Sequence, residues 1–418
     1  MPIRITPDQV RALSLAKQYL SERARGSDVV AIVRQIGPLR AKPAVTPYLA
    51  LWTRMESMER QDLIWALYRE RSLVRLSSAD AHLYVVPTDD MAAYRQVSKS
   101  LGDSDVGGYL AYLVSLSATQ EGLEPLSLDE IIPRVLEVVS TRGACTVEEL
   151  AEWLPVLDRQ LAFDAEDKSA TGRFRLGTRL IPALCAQGLL VPAEPRGSWK
   201  SERDTYATLG TWLPDVHIDD LDPREALARV LLDYITAYGP VTIGDMVHWL
   251  SGARRHQVVA ALMALERSLA RVEVLGTRGE AWVLRSDLDR LSSLATAERF
   301  VRLLPAGDGT LMALRDASRF LPPEYRDRVY DWAGDSLGTV MVDGLIKGLW
   351  WPQSRGDRLI VRLFEPVDPE AMALTGEEAR ALGRFLEGQA VDIEIGMEGE
   401  DLNGEPLLPI SLQQPFGV

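Results

Sequence analysis

The fold of this chain is decided by residues 224–284, which read REALARVLLDYITAYGPVTIGDMVHWLSGARRHQVVAALMALERSLARVEVLGTRGEAWVL. The spacing of the apolar residues predicts a helix over 224–238, which Gly239-Pro240 ends. Thr242 is a suitable N-cap for a second, short helix. The stretch therefore begins with two helices joined by a tight turn.

A third helix and a hairpin complete this stretch. The helix is predicted from about Arg254 to Leu269, and strands at 271–275 and 281–284 flank a turn at 276–279. Three helices followed by a hairpin predict a winged helix-turn-helix. That fold lays one helix into a DNA groove and the hairpin beside it.

Composition restricts the class of protein. The chain has 418 residues and is 46% hydrophobic and 25% charged, which is ordinary for a globular protein of two to four domains. No apolar run reaches the roughly 20 residues of a membrane span, so we expect no membrane association. The N-terminus lacks the apolar core of a secretion signal. With only Cys145 and Cys185, no disulfide framework is indicated, and a cytoplasmic location is the simplest expectation.

The net charge and the spacing of the histidines restrict which ligands the protein can bind. The four histidines are scattered without metal-ligand spacing, so we expect no metal site and no cofactor. The formal net charge is −14 and the pI is near 5.0. Because phosphate contacts need Lys and Arg, this balance argues against strong non-specific binding to nucleic acid. A winged-helix protein of this charge needs local basic patches on an acidic body.

An earlier segment repeats the opening stretch at an offset of roughly 95–96 residues. Three matches carry the repeat: Arg134-Val135-Leu136 with Arg229-Val230-Leu231, Thr146 with Thr242, and Trp153-Leu154 with Trp249-Leu250. Because the two tryptophans recur at equivalent places, we interpret both as core residues. The repeat predicts a tandem array of winged units.

The rest of the chain extends this array at both ends. Thr6 and Asp28 are suitable N-caps for two early helices, and a hairpin follows them. Beyond residue 298 short β-rich runs alternate with Gly and Asp. We predict an α+β, mainly α chain of three winged helix-turn-helix units and a β-rich, barrel-like C-terminal domain, with the limits 1–118, 126–215, 222–294 and 298–418.

Three segments carry a family pattern. Residues 238–249 read YGPVTIGDMVHW, residues 303–308 read LLPAGD and precede Arg315-Asp316 and Arg319, and residues 342–350 read VDGLIKGLW. In order and spacing they resemble the winged-helix DNA glycosylases of the YcaQ/AlkZ type, which unhook interstrand crosslinks and remove bulky alkylated purines. The resemblance covers nearly the whole chain. It implies tandem winged helices that form a concave channel for double-stranded DNA, alkylated or crosslinked.

The sequence departs from this family at both expected chemical centres. In the family, two Gln, or Gln and Asp, flank a single residue, and the matching positions here are Arg40 and Lys42. An Arg-Gly-Thr-Leu-His stretch of the family aligns with the segment that contains Asp80, His82 and Tyr84. The resemblance therefore implies catalytic positions whose residue types have changed.

The altered residues change the available chemistry. Cleavage of an N-glycosidic bond develops positive charge on the sugar, which a carboxylate or carboxamide can stabilise while it holds the attacking water. Arg40 stays protonated and has no acceptor. Lys42 would act only if activated, for example as a Schiff-base nucleophile, and phosphate contact is the simpler interpretation of both cations. Asp80, His82 and Tyr84 share one strand face and form either a relocated acid/base set or the polar outer face of a wing strand.

Candidate DNA contacts occur on each later unit. They are Arg173, Arg175 and Arg179; the tip with Arg196, Trp199 and Lys200; Arg254, Arg255 and His256; and Arg278 in the hairpin turn. An exposed Trp199 beside cations would suit stacking on a base or sugar, whereas its alternative is a ring folded onto its own unit. The alternative for Arg254, Arg255 and His256 is a solvated helix start. Asp308 matches a family position or is simply a turn residue.

Three hypotheses for function follow. The leading one is a cytoplasmic, monomeric bacterial DNA-binding protein that recognises damaged DNA with an altered catalytic centre. The second is an active monofunctional or Lys-dependent glycosylase that excises bulky alkylated purines. The third is a non-enzymatic regulator or protein-interaction scaffold. A positive, accessible channel around Arg40 and Lys42 would favour nucleic acid, whereas a buried Arg40 paired to a carboxylate would favour a structural role for that residue.

Overall fold

The computed structural model describes residues 3–26, 28–77, 82–101, 106–118, 124–164, 171–216, 218, 221–276, 279–293, 298–353 and 358–398. The expected mixture of helix and strand is confirmed, with about 49% of the described residues helical. Two candidate site residues, Asp80 and Arg278, lie outside the described residues. No helix in the described ranges is both long and apolar enough to cross a bilayer.

The N-terminal segment surrounds a small antiparallel sheet. Its elements are β1 (Ile3–Ile5), α1 (Pro7–Lys17), α2 (Val29–Ile36), β2 (Leu39–Arg40), α3 (Thr46–Arg54), α4 (Arg60–Tyr68), β3 (Leu73–Ser77), β4 (Leu83–Pro87), α5 (Met91–Leu101) and α6 (Val106–Ala118). Thr6 accepts a hydrogen bond from the amide of Gln9, and Asp28 accepts one from Ala31, so both predicted N-caps are confirmed. The sheet has the order β2-β4-β3.

The second segment contains a hairpin that the sequence did not predict. Its elements are α7 (Leu128–Arg142), α8 (Val147–Trp153), β5 (Gln160–Asp164), β6 (Thr171–Arg175), α9 (Leu176–Ala186), β7 (Leu190–Ala193), β8 (Thr205–Thr208) and α10 (Leu209–Trp212). Arg173 and Arg175, two of the candidate DNA contacts, lie on β6, which pairs with β5, and the helix α9 begins only after them. The rings of Phe163 and Phe174 meet across this hairpin with centroids 6.0 Å apart, a contact that favours strands.

The third segment follows the predicted order. Its elements are α11 (Pro223–Tyr238), α12 (Ile243–Trp249), α13 (Arg255–Ala264), β9 (Leu269–Val274), β10 (Glu280–Leu284) and α14 (Leu288–Ser293). Thr242 caps α12 and exchanges hydrogen bonds with Asp245 in a capping box. Thr146 caps α8 in the same way with Glu149, so the two matched threonines have the same local structure.

The two matched tryptophans differ. Trp249 stacks on Tyr234 with ring centroids 4.6 Å apart. Trp153 is 36% exposed, with the guanidinium of Arg142 over its ring, so the expectation of a core residue is wrong for it. The difference comes from the preceding helix of each unit. The repeat matches Tyr234 of α11 to Val139 of α7. Trp153 therefore has no aromatic ring to stack on at that position.

The C-terminal segment is an open sheet covered by a helix. Its elements are β11 (Val301–Leu304), α15 (Gly309–Met312), α16 (Arg326–Val329), β12 (Thr339–Val342), β13 (Leu345–Pro352), β14 (Arg358–Leu363), α17 (Pro369–Glu387) and β15 (Asp392–Met397). The strands run in the order β11-β12-β13-β14-β15, so the described strands form no closed barrel. The chain crosses over through α17, and β15 then joins the edge parallel to β14, away from β11. Helix α17 packs against β11, β14 and β15.

Packing crosses the predicted domain limits, which remain predictions. β1 pairs in parallel with β9, with Ile3 opposite Val272. Leu110 and Leu113 of α6 share a core with helices of the second segment. Another core joins α5, α11 and the strands of the C-terminal segment. Neighbouring units therefore share apolar interiors, and each is positioned by the others.

An acidic cluster lies between α2, α5 and α11. Asp90 is buried, and its carboxylate lies 2.5 Å from Arg229 and 3.8 Å from Arg34. Asp233 shares a hydrogen bond with Tyr94 in the same cluster. Burial and the nearby charge of Asp90 raise the pKa of Asp233 to about 7. The pKa of this half-buried carboxyl group is thus raised toward neutral pH.

This titration predicts a pH-dependent stability. Folded Asp233 keeps a proton that the unfolded chain loses above its ordinary pKa of 3.8, so its contribution is full below about pH 4 and declines as the pH rises toward 7. Asp233→Asn should therefore raise the free energy of unfolding at pH 8 by roughly 1–2 kcal/mol and change it little at pH 4. Urea unfolding at both pH values measures this difference. The exposed Asp215→Asn is the control, and an equal pH dependence in all three proteins would contradict the prediction.

Candidate nucleic-acid interface

Arg40, the first altered position, is held inside the protein. The pairing of β2 with β4 places Arg40 directly opposite Tyr84, so the two predicted chemical centres lie side by side. The Arg40 side chain is 9% exposed, and its Nη1 lies 2.5 Å from Oδ1 of Asp335. Its Cδ packs so closely on Gly307 that a Cβ there would come within 2.8 Å of it. This is the paired, largely buried arginine that a structural role requires, and it offers no acceptor to an attacking water.

Lys42, the second altered position, is exposed. Its side chain is 58% exposed, and its Nζ lies 3.8 Å from Oδ2 of Asp204. The other oxygen of Asp204 lies 2.6 Å from Nη1 of Arg75, and both of those side chains are buried. A nucleophilic lysine is activated by an apolar pocket or a neighbouring cation. The exposure of Lys42 and its carboxylate partner suit a phosphate contact better.

His82 and Tyr84 form an aromatic pair at the start of β4. Their ring centroids are 6.4 Å apart in an edge-on arrangement. Tyr84 also lines a small pocket of about 80 Å³ together with Pro38, Tyr94 and Trp249. Since Asp80 lies outside the described residues, the acid/base set stays a prediction.

The family-like segments bind one another. Arg319 donates from Nη2 to the carbonyl of Pro240 at 2.9 Å. The amide of Arg315 donates to Asp245 at 3.1 Å. The indole nitrogen of Trp350 donates to the carbonyl of Leu304 at 2.7 Å. These hydrogen bonds between the family-like stretches connect α11 and α12 to the C-terminal sheet. Contacts within the protein therefore account for the residue types at these positions.

Asp308 of the LLPAGD segment makes a buried ion pair. Both side chains are at most 2% exposed, and Arg54 places its two terminal nitrogens 2.8 and 2.7 Å from the carboxylate oxygens of Asp308. Asp308 also caps α15 by accepting from the amide of Thr310. Burial alone would raise the pKa of Asp308, but Arg54 and the hydrogen bonds from Thr310 hold it below its usual value. The residue is thus a turn residue with a long-range partner.

Some of the candidate DNA contacts of the second segment are neutralised by ion pairs with nearby carboxylates. Arg175 pairs with Glu148 at 3.0 Å and Asp158 at 3.3 Å. Arg196 pairs with Glu149 at 3.3 Å. Arg173 on β6 and Arg179 on α9 are exposed and make no ion pair with another residue that the structure describes. Of the candidate contacts in this segment, these two remain accessible.

The expectation of an exposed Trp199 is wrong. Its ring contacts Tyr48 of α3 and Phe385 of α17, with centroids 5.0 and 5.8 Å away. The guanidinium of Arg60 lies 4.7 Å from the centre of the same ring. Lys200 pairs with Glu387 at 2.7 Å. The tip folds onto the N-terminal and C-terminal segments and joins them, because a large ring buries more apolar area there than on its own unit.

The third segment presents the clearest cationic surface. Arg254, Arg255 and His256 are exposed at the start of α13, and within the described ranges Arg254 and Arg255 make no ion pair. Arg255 lines a groove of about 900 Å³ between α13 and the β9–β10 hairpin. Glu266 and Glu280 line it too, so the groove is mixed in charge. No group of three or more His, Cys, Asp or Glu among the described residues could hold a metal ion.

The sequence argument missed Asp335. Its carboxylate supplies the partner of Arg40, and it lies in the segment Asp331–Asp335, which reads DWAGD. Gly334 adopts a φ of 85°, which favours glycine, and the Gly and Asp content of this segment is typical of a turn. Nothing local indicated which distant residue the turn would contact.

Comparison with known proteins gives concordant results. A sequence model of the family described as DNA glycosylase AlkZ-like matches residues 33–385. An interstrand DNA cross-link repair glycosylase of Streptomyces sahachiroi is 24% identical over 305 residues, which cover 70% of this chain and 77% of that relative. The solved structure of Streptomyces sahachiroi DNA glycosylase AlkZ superposes with a TM-score of 0.70 at 20% identity, covering 94% of this chain and 100% of that one. At this identity the structural likeness shows a shared fold.

The buried pair makes a testable contribution to stability. Asp308→Asn leaves the guanidinium of Arg54 buried without a counter-charge, so the free energy of unfolding should fall by about 3–5 kcal/mol. Chemical denaturation followed by circular dichroism measures the loss. Glu273→Gln removes the partner of Arg4 in an exposed pair and should cost less than about 1 kcal/mol. Equal losses in the two variants would show that burial of the pair is not decisive.

Proposed function

This chain belongs to the AlkZ-like DNA glycosylase family, and we propose that it binds double-stranded DNA and recognises alkylated or crosslinked sites without excising the base. It is related to the crosslink-repair glycosylases of that family. The observation that carries the proposal is the ion pair between Arg40 and Asp335 at the position where the family resemblance implies a carboxamide.

The altered centre lacks the groups that the reaction needs. A water that attacks the sugar must be held by an acceptor, and the developing positive charge must face a negative or dipolar group. Arg40 offers only donors and is turned toward Asp335. Lys42 adds a second positive charge nearby and is open to solvent. Because Asp335 already neutralises Arg40, the exposed Lys42 is the cation of this centre that favours the phosphate backbone and disfavours a cationic alkylpurine.

DNA binding rests on a small number of accessible cations. Lys42, Arg173, Arg179, Arg254 and Arg255 are exposed and spread over the three helix-and-hairpin segments. We interpret these segments as winged helix-turn-helix units, because α7–α9 with β7–β8 and α11–α13 with β9–β10 follow that order. Cations on separate units would contact phosphates at several points along one duplex.

The first test of this proposal is DNA binding at several salt concentrations. Fluorescence anisotropy with an undamaged and an N7-alkylated duplex should show binding to both at low salt, tighter to the damaged one. Lys42→Ala should weaken both to a similar degree and reduce the slope of log K against log salt by about 1, as the loss of one phosphate contact requires.

A matched control is available for that experiment. Lys200→Ala also removes a lysine, but one that Glu387 already neutralises, so DNA affinity should be unchanged. No binding to either duplex at low salt would remove the DNA-binding proposal. In that case the acidic surface would favour the third hypothesis, a scaffold for a protein partner.

The second test is base release. A duplex that carries N7-methylguanine should lose the base no faster with the protein than in buffer, because neither Arg40 nor Lys42 can hold the attacking water. Abasic sites revealed by alkaline cleavage measure the rate. Release above the buffer rate that is abolished by Lys42→Ala, with a borohydride-trapped covalent complex, would instead establish a Lys-dependent glycosylase.

A further inference from the structure

A second groove lies beside the altered centre and was not predicted from the sequence. It has a volume of about 450 Å³ and lies between the end of α12, α15, α16 and the DWAGD turn. Its polar and aromatic lining includes His248, Arg315, Arg326, Tyr330 and Trp332. The volume falls within the roughly 300–1,000 Å³ of small-molecule sites.

The turn holds an indole ring toward solvent. Trp332 is 65% exposed, the most exposed tryptophan in the described part of the chain. Asp331 fixes the turn, because its Oδ1 accepts from the amides of Ala333 and Asp335, each at 2.9 Å. The amide of Asp331 also donates to the carbonyl of Asp335 at 2.9 Å. An indole held outward by a rigid turn offers a flat apolar face, on which a nucleic acid base can stack.

Two arginines line the same groove as this ring and are accessible. Arg315 and Arg326 are exposed, and neither makes an ion pair with another residue that the structure describes. The backbone of Arg315 is fixed by the carboxylate of Asp245. The guanidinium of Arg326 lies 5.9 Å from the ring centre of Tyr330. Cations on a fixed support suit contacts to phosphate groups on both sides of a stacked base.

The groove also contains carboxylates, which restrict its ligand. Asp316, Asp327 and Asp331 line it, although Asp316 and Asp331 already accept from backbone amides. A long polyanionic strand would be repelled by this mixture of charges. One base with its flanking phosphates fits it, because the amino groups or positive charge of the base can face the carboxylates while the phosphates face the arginines.

We propose that this groove binds a single nucleotide displaced from a DNA duplex, with the base stacked on Trp332 and the flanking phosphates contacted by Arg315 and Arg326. This inference rests on the proposed DNA binding. It specifies which part of the DNA is recognised, namely a displaced nucleotide. The same turn carries Asp335, which holds Arg40. A displaced base on Trp332 would therefore lie next to the altered centre, and damaged DNA would be distinguished by how easily it releases a base from the stack.

The test uses 2-aminopurine, whose fluorescence falls when it stacks on an aromatic ring. The full-length protein is titrated with two duplexes, one with 2-aminopurine in a single-base bulge and one with it paired. We expect quenching and roughly tenfold tighter binding for the bulged duplex only. Trp332→Ala should abolish the quenching and the preference, whereas Trp332→Phe should retain part of both. Arg326→Ala should weaken the bulged complex and lower its salt dependence.

The matched control is Trp153→Ala, which removes another partly exposed tryptophan from the second segment and should leave both duplexes unaffected. Thermal unfolding shows whether the Trp332→Ala protein is folded. Quenching and preference that persist in Trp332→Ala would overturn the proposal. Equal binding of both duplexes by the wild type without quenching would overturn it too and leave the proposed DNA binding intact. No binding of either duplex would remove both proposals.

Discussion

The buried pair of Arg54 and Asp308 determines how the two ends of this chain meet. Arg54 ends α3, and Asp308 lies in the turn after β11, so the pair joins the N-terminal helices to the C-terminal sheet. Arg54 also donates from Nη2 to Gln18 and Thr310, so both of its terminal nitrogens have partners within the protein. A charge buried in this way tolerates only one arrangement of its neighbours. The turn that follows β11 is therefore fixed relative to β2. Because Arg40 lies on β2, its position relative to that turn is fixed as well.

Much of the positive charge of this acidic chain is matched by carboxylates within the protein. Arginines serve as internal connectors at many places where segments meet, as with Arg75 and Asp204, or Arg229 and Asp90. Such cations add nothing to the positive surface, because their charge is matched inside the protein. The candidate cations that stay accessible, such as Lys42, Arg179 and Arg255, lie on separate segments. The DNA binding that we propose would therefore depend on the shape and deformability of the DNA as well as on bulk attraction.

Local features were predictable from the sequence, and distant contacts were not. Thr6, Asp28 and Thr242 were identified as caps because a cap is decided within three residues of itself. The expectation of a barrel-like C-terminal domain was wrong, because closure of a sheet depends on which strands pair across a long crossover. Trp199 was expected at an exposed tip, and its partners Tyr48 and Phe385 lie more than a hundred residues away in either direction.

The candidate site shows the same difference between local features, which were predictable, and distant contacts, which were not. The resemblance indicated Arg40 and Tyr84 separately, and only the strand register made them neighbours. Asp335 could not be predicted from the sequence as the partner of Arg40, because nothing in residues 331–335 indicates that contact.

The surroundings of Arg40 argue that the site is built around this residue. A cation that had merely replaced a polar residue would be expected to turn toward solvent, where its charge is hydrated. Arg40 instead lies against Gly307, where the missing side chain leaves room for its Cδ, and pairs with Asp335. Gly307 adopts a φ of 70°, so any other residue there would be both strained and in contact with Arg40. Two separate positions, Gly307 and Asp335, thus fit one arginine, and this joint fit is what a structural role for Arg40 requires.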